Sequence, residues 1–119
     1  MFLFPALGQG QAVLRLSPTS LTFNNHVVFT TSGPKTVKLG NTGKAPLNIS
    51  GIAATGDFAQ AKNCGSVLAA GAQCNISVTF TPTVVGTESG AIGITDITRI
   101  FGVFAAGRGG REYDEYTGY

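Results

Sequence analysis

Residues 63–82, NCGSVLAAGAQCNISVTFTP, limit the possible folds more than any other part of the chain. Ile76, Val78 and Phe80 alternate there with Asn75, Ser77 and Thr79. Successive side chains of an extended strand point to opposite faces, so this pattern describes a strand with one face in a core and the other in water. Cys64 and Cys74 bracket the loop that leads into it. The turn Ala69-Ala70-Gly71 can fold the second cysteine back toward the first, which favours a disulfide over two buried free thiols. Such a bridge restricts the unfolded chain and contributes about 3 kcal/mol on loop entropy, before any strain is subtracted.

The rest of the chain repeats the idiom. Short apolar or alternating runs are expected as strands at residues 12–16, 20–23, 35–40, 47–53, 56–62, 74–82, 91–95 and 99–106. Leu21, Phe23, Val37, Leu39, Leu47, Ile49, Phe58, Ile92 and Ile94 supply the inward faces. Between them, residues 24–33 read as a connection from which Val28 dips into the core. Residues 41–46 read as a turn rich in Gly and Pro, and residues 86–90 as a further connection. No helical period is present. Short strands at roughly ten-residue spacing predict an all-β sandwich.

A chain of 119 residues, 43% of them apolar, suits one domain with one core. We divide it into an apolar N-terminal arm or signal remnant (1–11), a sandwich (12–109) and a tyrosine-rich tail (110–119). Only 12% of residues are charged, and the net charge of +2 is dispersed, so neither nucleic acid nor an anionic membrane is an expected partner. No apolar run approaches the length needed to span a bilayer. A bridged cysteine pair points to an oxidising compartment, outside the cell or at its surface. Asn48 and Asn75 each begin an Asn-Ile-Ser sequon, which matters only in a eukaryotic secretory pathway.

The run LSPTSLTF, then VVFTTSGPKTVKLGNTGKAPLNISGI, then GDFAQAKNCGSVLAAGAQCNISVTFTPTVVGTESGAIGI resembles the bacterial choice-of-anchor D domains. These stand with the hydin-like and ASH immunoglobulin-like domains. The motifs that carry the resemblance are Asn41-Thr42-Gly43, Pro46-Leu47, Gly56-Asp57-Phe58, the Cys64/Cys74 pair and Phe80-Thr81-Pro82. It implies a seven-stranded immunoglobulin-like β-sandwich bridged between Cys64 and Cys74, to which the terminal residues of this chain add extended N- and C-terminal arms. It also implies a binding or structural module, with no catalytic residues to carry over. The chain departs from the pattern in holding one copy, without tandem repeat or evident C-terminal anchor. Phe29 stands where the pattern has a small residue, often Gly. The last strand is apolar on both sides, with Phe101, Val103 and Ala105 on one and Ile100, Phe104 and Ala106 on the other.

Catalytic and metal readings find little to work with. His26 is the one histidine and falls in an Asn-rich stretch, expected as a surface loop. With two bridged cysteines it cannot complete a structural zinc site, which takes about four ligands. Asp57, Glu88 and Asp96 lie at strand ends or connections, and Asp57 reads as a turn former capping its own backbone. Residues 107–111, GRGGR, read as a flexible exit rather than an RNA-binding segment. Glu112, Asp114 and Glu115 read as a solvated tail rather than a calcium site. The expectation is a non-enzymatic protein without cofactor.

What remains is surplus apolar surface. Phe2, Leu3, Phe4 and Leu7 in the first arm, Phe29, Ile100 and Phe104 on the sandwich, and Tyr113, Tyr116 and Tyr119 in the tail exceed what a lone sandwich of this size should expose. They are the expected interface residues of an extracellular structural protein that assembles with copies of itself into a filament or surface layer. The alternative is a secreted or periplasmic binding or adhesion module that recognises a cell-surface protein or a glycan.

Overall fold

Alternation decides which face of each strand is apolar, and two such faces close on one another. The computed structural model describes residues 11–96 and 100–111. Among them are nine strands and no helix: β1 (Leu14–Ser17), β2 (Ser20–Val27), β3 (Lys35–Asn41), β4 (Leu47–Ala54), β5 (Phe58–Lys62), β6 (Val67–Leu68), β7 (Gln73–Phe80), β8 (Gly86–Asp96) and β9 (Ile100–Gly110). One sheet has the order β1-β3-β7-β5 and the other β2-β9-β8-β4-β6. Strand pairs are antiparallel except β2 with β9, which run parallel. The architecture is the expected all-β sandwich, with two more strands than the seven expected; one of them, β6, has two residues.

The strand that organises the sequence, β7, lies inside its sheet between β3 and β5. Val37, Leu39, Ile76, Val78 and Phe80 face Ile92, Ile94, Val103 and Ala105 across the core, all fully buried. Each large apolar side chain so buried contributes about 1.5–3 kcal/mol. At one end Phe58 stacks on Phe80 and Phe23 packs tilted against both, with ring centroids 4.9–5.8 Å apart. Cys64 and Cys74 are bridged, their Cα atoms 5.2 Å apart. The closed loop carries β6 across to the second sheet, where Leu68 pairs with Leu47 and is buried.

Several local expectations need correction. Residues 24–27 belong to β2, where a register shift between Thr22 and Asn25 breaks the alternation and makes a paired strand look like a turn. His26 is therefore a half-buried strand residue opposite Gly109 rather than a loop residue. Val28 follows the end of β2 and is only half-buried. Residues 86–90 are the first half of β8, and 107–110 the last part of β9; they pair Gly86 with Gly109 and Glu88 with Gly107. Glycine is required in that strand because the Phe80 ring lies flat against it. A Cβ at Gly107 would sit 2.5 Å from Phe80 Cε2. The glycine-rich exit is thus a packed strand. Its expected start at Arg99 lies outside the described residues.

The strands define two ends. At the base lie the 41–46 turn, the start of β4, the end of β8 and the start of β9, tied by Leu14–Asn41, Ile49–Asp96 and Thr95–Ile100. At the tip lie the end of β2, the 81–85 loop and the end of β9, tied by Val27–Gly110 and Gly86–Gly109.

Candidate assembly surface

At the base one side chain organises several segments. Asn41 ends β3 fully buried, and each of its amide atoms is used twice. Its Oδ1 accepts from Val13 N (3.2 Å) and Gly43 N (3.0 Å), while its Nδ2 donates to Ala45 O (2.8 Å) and Leu68 O (3.0 Å). Gln11 O accepts from Lys44 N and Ala45 N, and Thr42 N donates to Val13 O. Any side chain at Gly43 would strike the backbone of residues 11–13. The Asn41-Thr42-Gly43 turn therefore clamps the start of the described chain against the base. Sequence reading treats Asn41 as a loop opener. The signal that could have found its role is its place first in the resemblance motif.

At the tip, Asp57 and the 81–85 loop are bound together. Asp57 Oδ2 accepts from Thr83 N and Thr83 Oγ1, both at 2.8 Å, and Thr81 N donates to Asp57 O. Asp57 thus holds a loop distant in sequence instead of capping its own backbone. Glu88 Oε2 has no hydrogen-bond partner and its carboxyl lies against that of Asp57, where a proton held between the two relieves their repulsion. The hydrogen bond from Glu88, then those from the Thr83 hydroxyl and N–H, hold Asp57 below its ordinary range. That bond to Asp57, then burial and the neighbouring negative charge, push Glu88 up.

This loop displays Val84 and Val85, which are about half exposed. Beside them is Phe29, whose N donates to Pro82 O at 2.7 Å. Phe29 has φ +65°, the left-handed region where glycine is at ease, and the residue is 73% exposed. That explains why a small residue suits the position in the family pattern.

The other sandwich residues expected at interfaces lie elsewhere. Ile100, 77% exposed, begins β9 at the base, and Phe104, 58% exposed, stands mid-strand between Ser20 and Ala91. Sequence reading places Phe29 near the apolar side of the last strand. The structure sets it instead at the far end of β9 from Ile100. Phe2, Leu3, Phe4, Leu7, Tyr113, Tyr116 and Tyr119 lie outside the described residues, as do Glu112, Asp114 and Glu115. On the first sheet, Thr36, Ala61, Lys62, Asn63, Asn75 and Ser77 line a shallow polar groove of about 360 Å³. No helix among the described residues is long and apolar enough to cross a membrane.

Residues 12–96 match the family model described as HYDIN/CFA65/VesB-like, Ig-like domain. A comparison with curated proteins finds no match. Among solved structures, a protein of unknown function from Porphyromonas gingivalis W83 aligns with TM-score 0.70 and 16% identity, over 88% of this chain and 50% of that one. The ASH/PapD-like domain 7 of human CEP192 aligns with TM-score 0.60 and 15% identity, over 82% of this chain and 85% of that domain. The secreted serine protease VesC of Vibrio cholerae aligns with TM-score 0.58 and 17% identity, over 82% of this chain but 23% of the protease. The chain spans half the length of the first of these, and at such identities the likeness is one of fold.

Proposed function

The chain belongs to the HYDIN/CFA65/VesB-like family of Ig-like domains, and from that premise we propose that it is a non-enzymatic structural protein, outside the cell, that assembles with copies of itself. The observation that carries this reading is polarity of form. Exposed apolar side chains stand at both ends of the sandwich, Phe29, Val84 and Val85 at the tip and Ile100 at the base. Residues 11–14 also lie at the base, while β9 finishes at the tip, where Val28 N donates to Gly110 O. Two different patches at opposite ends favour a head-to-tail contact, and one that does not close into a ring grows into a filament. The disulfide, and the secreted character of VesC, support a place in an oxidising compartment.

Electron microscopy and sedimentation velocity of the full chain over a concentration series test the reading. Filaments or a concentration-dependent ladder of oligomers are expected; a monomer at every concentration contradicts it. The polar groove supports the alternative, a binding or adhesion module for a protein or glycan, whose sign is that monomer.

A further inference from the structure

We infer that the tip patch around Phe29 is the receptor for the N-terminal arm, residues 1–10, of a second copy. This rests on the head-to-tail reading and names the two surfaces that meet. The patch is costly to maintain. A non-glycine residue in the left-handed region costs about 1–2 kcal/mol, and the exposed ring recovers little of that within its own domain. It is also built in advance. Thr30 Oγ1 donates to Val27 O at 2.6 Å, Phe29 N to Pro82 O, and Asp57 fixes the loop that carries Val84 and Val85. A preformed apolar patch loses little entropy when something covers it.

The direction of the chain says what covers it. β1 runs from base toward tip, so the backbone followed backwards through Val13 to Gln11 heads out past the base, pinned by the 41–45 turn. The eleven residues of β9, which run from base to tip, span about 36 Å. An arm turned back on its own subunit would have to reverse at the base and run the whole length of the sandwich to touch its own tip. An arm leaving the base reaches the tip of the next subunit directly, with Phe2, Leu3, Phe4 and Leu7 to spend on contact.

Photo-cross-linking tests the assignment. Full chains with a photo-reactive phenylalanine analogue at position 4 are mixed as heavy- and light-isotope forms, assembled and irradiated. Mixed-isotope cross-links to peptides covering residues 28–34 and 82–86 are expected. Their yield should fall about tenfold in Phe29→Gly, as for loss of an aromatic anchor. That variant should fold with an unchanged or higher Tm, since glycine relieves the backbone. Cross-links confined to one isotope form, cross-links to the Phe104 face, or an undiminished yield in Phe29→Gly each overturn the receptor while leaving the assembly reading intact. Absence of any assembly sinks both.

Discussion

Asn41 shows how much one amide can organise. Its side chain joins residues 13, 43, 45 and 68, and its own backbone N and O bond Ala72 and Gly71. Asn41→Ala leaves two N–H groups and two carbonyls near the core without partners. Leaving a buried polar group unsatisfied costs about 1–3 kcal/mol, and some of these groups will find water, so a loss of about 2–4 kcal/mol is expected in urea unfolding. A loss below about 1 kcal/mol would mean the turn holds without it. The Asp57–Glu88 pair makes a second prediction. Glu88 has a raised folded pKa, so its contribution is full below its ordinary 4.5 and is lost as pH rises through the raised value. Asp57 has a lowered one, so its contribution is full above 3.8 and is lost as pH falls through the lowered value. The pair is therefore most stabilising between those limits. Glu88→Gln keeps an N–H donor to Asp57 at every pH, so its Tm relative to wild type should rise from pH 4.5 to 7 in a thermal-shift series. A constant difference would show that no proton is shared. Neither role is legible in sequence. Local pattern marks Asn41 and Asp57 as turn residues, and their decisive partners lie far along the chain.

Strands were easier to read where one face meets water. β3 and β7 follow the period of two, and their inward apolar residues are buried; β4 does so only as far as Ile49, beyond which a register shift turns Ile52 inward. The reading fails where packing replaces side chains with glycine. β8 and β9 pair over their full length, yet residues 86–90 and 107–110 look like linkers because Gly, Thr and Ser are what a close-packed ribbon over Phe80 allows. Gly107→Ala forces a Cβ into a fully buried ring that has nowhere to move, and overpacking of this kind costs about 1–3 kcal/mol. Gly102→Ala in the same strand is the control. Its nearest neighbour would be Ile92 O at 3.9 Å, so stability should hold. Equal losses at both sites, measured by chemical denaturation, would trace the effect to strand backbone preference instead of the Phe80 contact. The disulfide works at the same scale. It ties the start of β7 to a loop whose β6 seals the edge of the other sheet, so one bridge steadies both layers.

For the whole molecule, fold and surplus apolar surface were legible from composition and alternation, but their arrangement was not. Which end of a sandwich a residue occupies depends on strand direction, and the parallel β2–β9 pair, which sends Phe29 to the far end from Ile100, leaves no trace in local pattern. The charges divide as unevenly as the apolar groups: the tail holds Glu112, Asp114 and Glu115 with no Lys or Arg after Arg111, whereas most cations lie on the sandwich. Two kinds of self-association are therefore open to this chain, an apolar contact between arm and tip or an ionic one between acidic tail and basic body. Salt separates them. Raising ionic strength from about 0.1 M to 1 M shortens the screening length from about 10 Å to 3 Å, which weakens exposed ion pairs but not apolar burial. If the arm and the Phe29 patch carry the contact, sedimentation should show assembly unchanged or enhanced at high salt, and more so in sulfate, which strengthens apolar association. Assembly that dissolves as salt is added would assign the contact to the tail and its acids, and the exposed ring at the tip would need another partner.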